Sequence, residues 1–213
     1  MTNTREQMLA RLRTNPLGEV PAPELEVRRF AWSLDEAVEK FELMLKAVRA
    51  EVYHVGHDWP CLLAEQLTQA GARNLYYGPE GPLSQRLTRG WPETGPQLAA
   101  LDRPIEETRE TLFDQADAGF TSCVAGIAET GSLVLWPTPA EPRLLSLVPP
   151  IHCVLIERDQ IRSTLHELIV QESWCKGMPT NALLISGPSK SADIEQTLAY
   201  GVHGPERLLV LIQ

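Results

Sequence analysis

A chain of 213 residues is long enough for one large domain with a substantial buried core. Its 28 acidic and 19 basic side chains leave a net charge of −9, and the densest basic run, Arg28-Arg29, is isolated. That balance repels polyanions and argues against nucleic acid or an anionic membrane surface as a partner.

No apolar run approaches the length of a membrane span, and residues 1–16 hold no secretory h-region. The four cysteines, Cys61, Cys123, Cys153 and Cys175, include no C-x-x-C pair. This reads as a reduced, cytoplasmic protein with no iron–sulfur or zinc ligand set of its own. Cys61, Cys123 and Cys153 sit in apolar surroundings, whereas Cys175 beside Lys176 is expected to be more exposed.

In chain order, residues 2–13 have helical spacing at Met8, Leu9 and Leu12, and Pro16-Leu17-Gly18 ends the segment. Val20-Pro21-Ala22-Pro23 follows as an extended linker. Residues 1–24 therefore form an arm and linker, packed on the chain's own domain or on a neighbouring subunit of a homo-oligomer, and 25–213 form the main domain. Ser33 caps a helix, Glu36 completes a capping box, and Val38, Phe41, Leu45 and Val48 share one face. A strand over 51–55 follows, then a helix over 61–70 closed by Gly71, and a strand over 74–77. Residues 82–103 are turn-rich and give no clear element.

A helix over 105–114 precedes strands at 120–125 and 131–136. Beyond them come a strand at 151–156, a helix over 160–171, a strand at 183–185, a helix over 194–200 and a strand at 208–212. Repeated alternation predicts an α/β fold with a mainly parallel sheet flanked by helices. Sites in such sheets form at the carboxyl ends of strands. The five tryptophans show no stacking-platform pattern and read as core or interface residues.

Three stretches invite a functional reading. His54, His57 and Asp58 place two imidazoles and a carboxylate at a strand end, but a polar loop before a helix explains them better, and no metal site is assigned. Residues 183–195, LLISGPSKSADIE, read as a buried parallel strand, a small-residue turn and a helix start. Such a junction offers backbone N–H groups to an anion, with Lys190 as a mobile charge. Asp193 and Glu195 in the first turn would compete with that anion, and the Walker A glycines are missing, so a plain capped helix stays open. In residues 125–137, AGIAETGSLVLWP, Glu129-Thr130-Gly131 reads as the tip of a hairpin or a tight crossover. Gly131 suits a positive φ, and Glu129 is either a base or nucleophile or an ordinary turn carboxylate. Arg143 either clamps an anion or pairs with Glu141.

Ala128-Glu129-Thr130-Gly131-Ser132-Leu133-Val134-Leu135, Pro142-Arg143 with Ser146 and Pro149, residues 187–195 and Gly201-Val202-His203-Gly204-Pro205 occur in this order. In this the chain resembles the lactate utilization protein C family of LUD-domain proteins, over about residues 116–213. Ser132 and Ser191 stand where threonine is common in that family, and both keep a hydroxyl.

The resemblance implies a sugar-isomerase and CoA-transferase-like α/β sheet. It implies a role in oxidising L-lactate to pyruvate beside partner subunits that carry the iron–sulfur clusters, with this chain a non-redox subunit. Thr130, Gly131, Arg143, Gly187, Ser189, Lys190, Ser191 and His203 are then the candidate ligand contacts for a small carboxylate or phosphate. Lys190 and the N–H groups of 189–192 hold the anion, Arg143 clamps it and His203 orients it. The alternatives are a free-standing isomerase or CoA-transferase-like enzyme with Glu129 as base or nucleophile, and a purely structural scaffold.

Overall fold

The computed structural model describes residues 4–14, 26–103, 105–192, 198–201 and 203–213. Helices α1 (Thr4–Thr14) and α2 (Leu34–Ala47) lead into β1 (Glu51–His54), α3 (Trp59–Gln69), β2 (Asn74–Tyr77), α4 (Ser84–Gly90), β3 (Gln97–Ala100), α5 (Ile105–Gln115) and β4 (Ala118–Ser122). They are followed by β5 (Ala125–Ile127), β6 (Ser132–Leu135), α6 (Leu144–Leu147), β7 (Ile151–Ile156), β8 (Ile161–Arg162), α7 (Leu165–Gln171), β9 (Leu183–Ile185), β10 (Lys190–Ala192), β11 (Leu198–Tyr200) and β12 (Arg207–Ile212). No residue of α1 is buried, and the linker expected at 20–23 lies outside the described residues.

The main sheet has six parallel strands in the order β1-β12-β7-β4-β2-β3. All of β7 is buried, as is β12 beyond Arg207, which is why both read as continuous apolar runs. Because side chains alternate across a strand, the sheet has two separately covered faces. Ala118, Phe120, Cys153, Leu155, Leu209 and Leu211 pack with Trp59, Leu63, Leu67 and Leu87 of α3 and α4. On the other face Val154, Ile156, Val210 and Ile212 pack under Phe41 and Leu45 of α2. Helix α2 forms where expected: the Ser33 hydroxyl accepts from the Glu36 N–H, and the Glu36 carboxylate accepts from the Ser33 N–H at 2.7 Å.

Beside α2, that second face also carries a smaller four-stranded sheet in the order β8-β5-β6-β9. Leu133, Leu135 and Cys123 join the α2 cluster, with Leu183 and Ile185 packed against it. On its outer side Ala125, Ile127 and Val134 pack with Leu168 of α7 and with Trp174.

This smaller sheet accounts for the departures from the sequence reading. The run 120–125 is not one strand: the chain leaves the main sheet at Ser122 and enters the second at Ala125. Both halves are buried, so apolar pattern alone does not mark the change. Strand 183–185 is neither parallel nor fully buried; it pairs antiparallel with β6 at the sheet edge, with Leu184 exposed. The helix read over 160–171 is a 3₁₀ turn at Arg158–Gln160, then β8, then α7. The turn-rich stretch 82–103 holds α4 and β3. For the helix read over 194–200, residues 194–197 lie outside the described residues, but Leu198–Tyr200 is a strand paired antiparallel with Lys190–Ala192. Cys61 is exposed, as Cys175 is, while Cys123 and Cys153 are buried.

Candidate functional site

Two glycines with positive φ seat the two dense motifs on the last turns of α2. Gly131, at φ +64°, lies so close that a Cβ there would meet the Met44 Cβ at 2.7 Å and the Leu45 N at 2.9 Å. Gly187, at φ +144°, would bring a Cβ to 2.7 Å from the Val48 side chain. Glu129-Thr130-Gly131 does form the tip of a hairpin, between β5 and β6. From it a chain of hydroxyls runs sideways. Thr130 Oγ1 lies 2.6 Å from Ser132 Oγ, which lies 2.7 Å from Ser186 Oγ at the end of β9. The hydroxyl of Ser132, buried between the sheets, thus ties the first motif to the second.

Beyond Ser186 the loop turns over a cleft of about 220 Å³ between the two sheets. Gly187, Ser189 and His203, three of the expected residues, line it together with Ser186, Ser146 and His152. The loop is braced by the Ser189 N–H, which donates to the Pro205 carbonyl at 2.8 Å, and by the Gly201 N–H, which donates to the Ser189 carbonyl at 3.0 Å. The expected N–H cradle at a helix start is therefore absent over 189–192. The segment enters a strand, and the Ser189 N–H is already bonded within the protein. Lys190 stands exposed at the start of β10 and does not line the cleft. Ser191 follows it in β10, in register with Ala199.

The floor of the cleft is a residue that sequence reasoning passed over. His152, the second residue of β7, has no solvent exposure. Its Nε2 lies 2.9 Å from Thr121 Oγ1 on β4, and its Nδ1 has no hydrogen-bond partner. Burial lowers its pKa to about 3, so the imidazole is neutral at physiological pH. The signal for it was a lone polar residue in the apolar run Ile151-His152-Cys153-Val154-Leu155-Ile156.

The remaining candidates lie apart from the cleft. The Glu129 N–H donates to the Ser163 carbonyl at 3.0 Å, and its carboxylate pairs with Arg28 at 3.1 Å on the surface. Arg143 is exposed and lines a separate cavity of about 10 Å³ with Thr121, Ser122, Trp136 and Glu141; Ser146 borders both spaces. Arg143 does not pair with Glu141. The Glu141 carboxylate turns inward, accepting from the Ser122 N–H at 3.2 and 3.3 Å and from the Ser122 hydroxyl, and burial raises its pKa.

The cleft also sits at the end of the sheet opposite to the one expected: His152 and Leu208 are second in their strands, so it opens at the amino ends of β7 and β12. At a carboxyl end, His54 Nε2 lies 2.8 Å from Glu42 Oε2, and His57 Nδ1 lies 3.3 Å from the Gln213 amide. The two imidazoles face different partners, and among the described residues no group of three ligating side chains gathers. No helix among the described residues is long and apolar enough to cross a membrane.

Comparison with known proteins places these features in a family. The LUD domain family model matches residues 38–212. The chain is 36% identical to an uncharacterized protein of Neisseria meningitidis, over 98% of this chain and 93% of the relative. It is 30% identical to the lactate utilization protein C of Deinococcus radiodurans, over 87% and 90% of the two chains. Against the Bacillus subtilis protein of that name it is 31% identical over 61% of this chain and 56% of the relative. In three dimensions it resembles the crystal structure of a DUF162 family protein from Deinococcus radiodurans, with a TM-score of 0.61, 27% identity, and coverage of 85% of this chain and 98% of the other. The chain belongs to the LUD-domain family.

Proposed function

We propose that this chain takes part in lactate utilization as a cytoplasmic subunit without a redox centre of its own. In this reading the iron–sulfur clusters reside in partner subunits, and this chain contributes a small-ligand site at the cleft beneath Ser186–Ser189. The observation that carries it is the identity to a protein named lactate utilization protein C across 90% of that protein's length. The geometry adds support, because the loops carrying Gly187, Ser189 and His203 converge on one space. No Lys or Arg among the described residues lines that space, so the clamp expected of Lys190 and Arg143 is not formed there.

The test is L-lactate-dependent dye reduction in extracts of a strain lacking this chain, with and without the purified protein. Activity lost on deletion and restored by add-back is the expected result. Activity undiminished by the deletion would refute the reading.

A second reading has one observation in its favour. Arg28, the partner of Glu129, and Ser163, which accepts from the Glu129 N–H, both line a larger cleft of about 310 Å³ with Arg29, Thr164 and His166. A free-standing enzyme of isomerase or CoA-transferase type would use Glu129 there as base or nucleophile. Glu129→Gln separates the two, abolishing activity in this case and sparing add-back in the first.

A further inference from the structure

We propose that the crevice at the carboxyl ends of β2 and β4 is a binding site for a small carboxylate, and that the chain's own Glu141 occupies it as an internal competitor. The site is separate from the cleft beneath Ser186–Ser189 and does not rest on the lactate-utilization reading.

Topology marks the position. From β2 the chain continues to β3 on one side of the sheet, and from β4 it continues to β7 on the other, so the connections diverge at the β2–β4 pair. In open parallel sheets, ligands bind in the crevice outside the carboxyl ends at such a divide. Tyr77 and Ser122 end the two strands there, with Tyr77 in register with Phe120.

A carboxylate from a surface loop fills that crevice. Glu141 lies between β6 and α6, in a loop whose Thr138 and Pro139 are exposed. Two glycines after β2 make room for it. A Cβ on Gly78 would lie 1.8 Å from the Ala140 carbonyl oxygen, and one on Gly81 would lie 2.5 Å from Glu141 Oε1. Below them the Ser122 N–H donates to both carboxylate oxygens at 3.2 and 3.3 Å, and the Ser122 hydroxyl donates to one of them. Glu141 delivers its carboxylate on a two-carbon stem, so the seat fits a carboxylate on a short aliphatic chain.

The internal occupant leaves this seat incompletely used. Burial raises the Glu141 pKa, and only Ser122 counteracts that cost. Arg143, two positions on, is exposed, lines the same space and forms no ion pair among the described residues. A free carboxylate seated on Ser122 is not tied to the loop, and the mobile guanidinium of Arg143 can close on it with charge-assisted hydrogen bonds. Glu141 then turns out to water. Because the seat is vacant only while Glu141 is away, the apparent affinity is reduced by that vacant fraction, and the loop sets it.

The experiment adds propionate to the ¹⁵N-labelled full chain, with uncharged propionamide as control, and follows the Ser122 amide by NMR. Glu141→Ala removes the competitor. The expected result is that propionate moves the Ser122 signal at a concentration about tenfold or more lower in Glu141→Ala than in wild type. Propionamide leaves the signal in place. Arg143→Ala, added to Glu141→Ala, weakens the propionate response by about tenfold. The proposal is overturned if propionate moves the Ser122 signal in neither protein, or if both proteins respond at the same concentration. It is also overturned if propionamide acts as well as propionate, which would show simple filling of a hole. Should Glu141→Ala fail to fold, Glu141→Gln keeps the shape of the side chain, loses the competing charge and is read in the same way.

Discussion

The two spaces that flank α6 are built from similar materials and finished differently. At the carboxyl end of β4 the protein fills the crevice itself. Glu141 turns its carboxylate onto the Ser122 N–H and hydroxyl, and about 10 Å³ remains. At the amino end of β7 about 220 Å³ stays open, and His152 Nδ1 is left without a partner. An open parallel sheet is expected to bind at its carboxyl ends. Here that end carries an internal carboxylate, yet buried polar atoms without a partner occur beside both spaces, Trp136 Nε1 at the filled crevice and His152 Nδ1 beneath the open cleft. The two spaces differ in how much room the fold leaves, not in whether a buried polar atom nearby is unmatched.

This contrast can be broken most forcefully at Gly78. A Cβ there would lie 1.8 Å from the Ala140 carbonyl oxygen, a backbone atom that moves only with its loop. Gly78→Ala is expected to lift Glu141 off Ser122 and to cost 3 kcal/mol or somewhat more, the upper end of the roughly 1–3 kcal/mol for overpacking, read from the urea midpoint. An unchanged midpoint would mean that the Glu141 loop adds little to the fold.

A smaller effect is expected of Glu141→Gln, about 1–2 kcal/mol from replacing a charged acceptor on buried donors. Its pH dependence carries the sharper information. Burial raises the Glu141 pKa, so the folded state holds this proton above the ordinary value of 4.5. The associated stability is complete below that value and is lost as pH rises through the folded pKa. The gap between wild type and Glu141→Gln should therefore narrow as pH rises above 4.5.

His152 should give the opposite slope and the smallest effect at neutral pH. Its pKa falls from 6.5 to about 3 on folding, so stability is full above pH 6.5 and declines as pH falls toward 3. His152→Gln should remove that decline, visible in thermal melts between pH 7 and about 5. Parallel pH profiles for variant and wild type would contradict the burial of a neutral imidazole.

The main sheet was legible because its strands bury both faces and its helices carry ordinary signals. Examples are the Ser33–Glu36 capping box and Gly71, which closes α3 at φ +75°. The second sheet was not, since nothing in Thr121-Ser122-Cys123-Val124-Ala125 says that the strand changes sheets. Leu198–Tyr200 is a strand where periodicity suggested a helix, because pairing with Lys190–Ala192 overrides local preference. Of the site, the sequence disclosed Gly187, Ser189 and His203 through their loops. His152 stayed hidden among apolar neighbours, and its one hydrogen-bond partner, Thr121, lies 31 positions away.

The position of β12 bears on the order in which the protein can assemble. Strand β1 has one neighbour in the sheet, β12, with Glu51 in register with Leu209. Residues 207–212 must therefore be available before β1 can join β7, so β1 depends on a segment far along the chain for its hydrogen-bonding partner. A sheet whose first strand is joined to the rest only through β12 closes through non-local contacts, the kind that slow folding and prolong the exposure of unpaired edges.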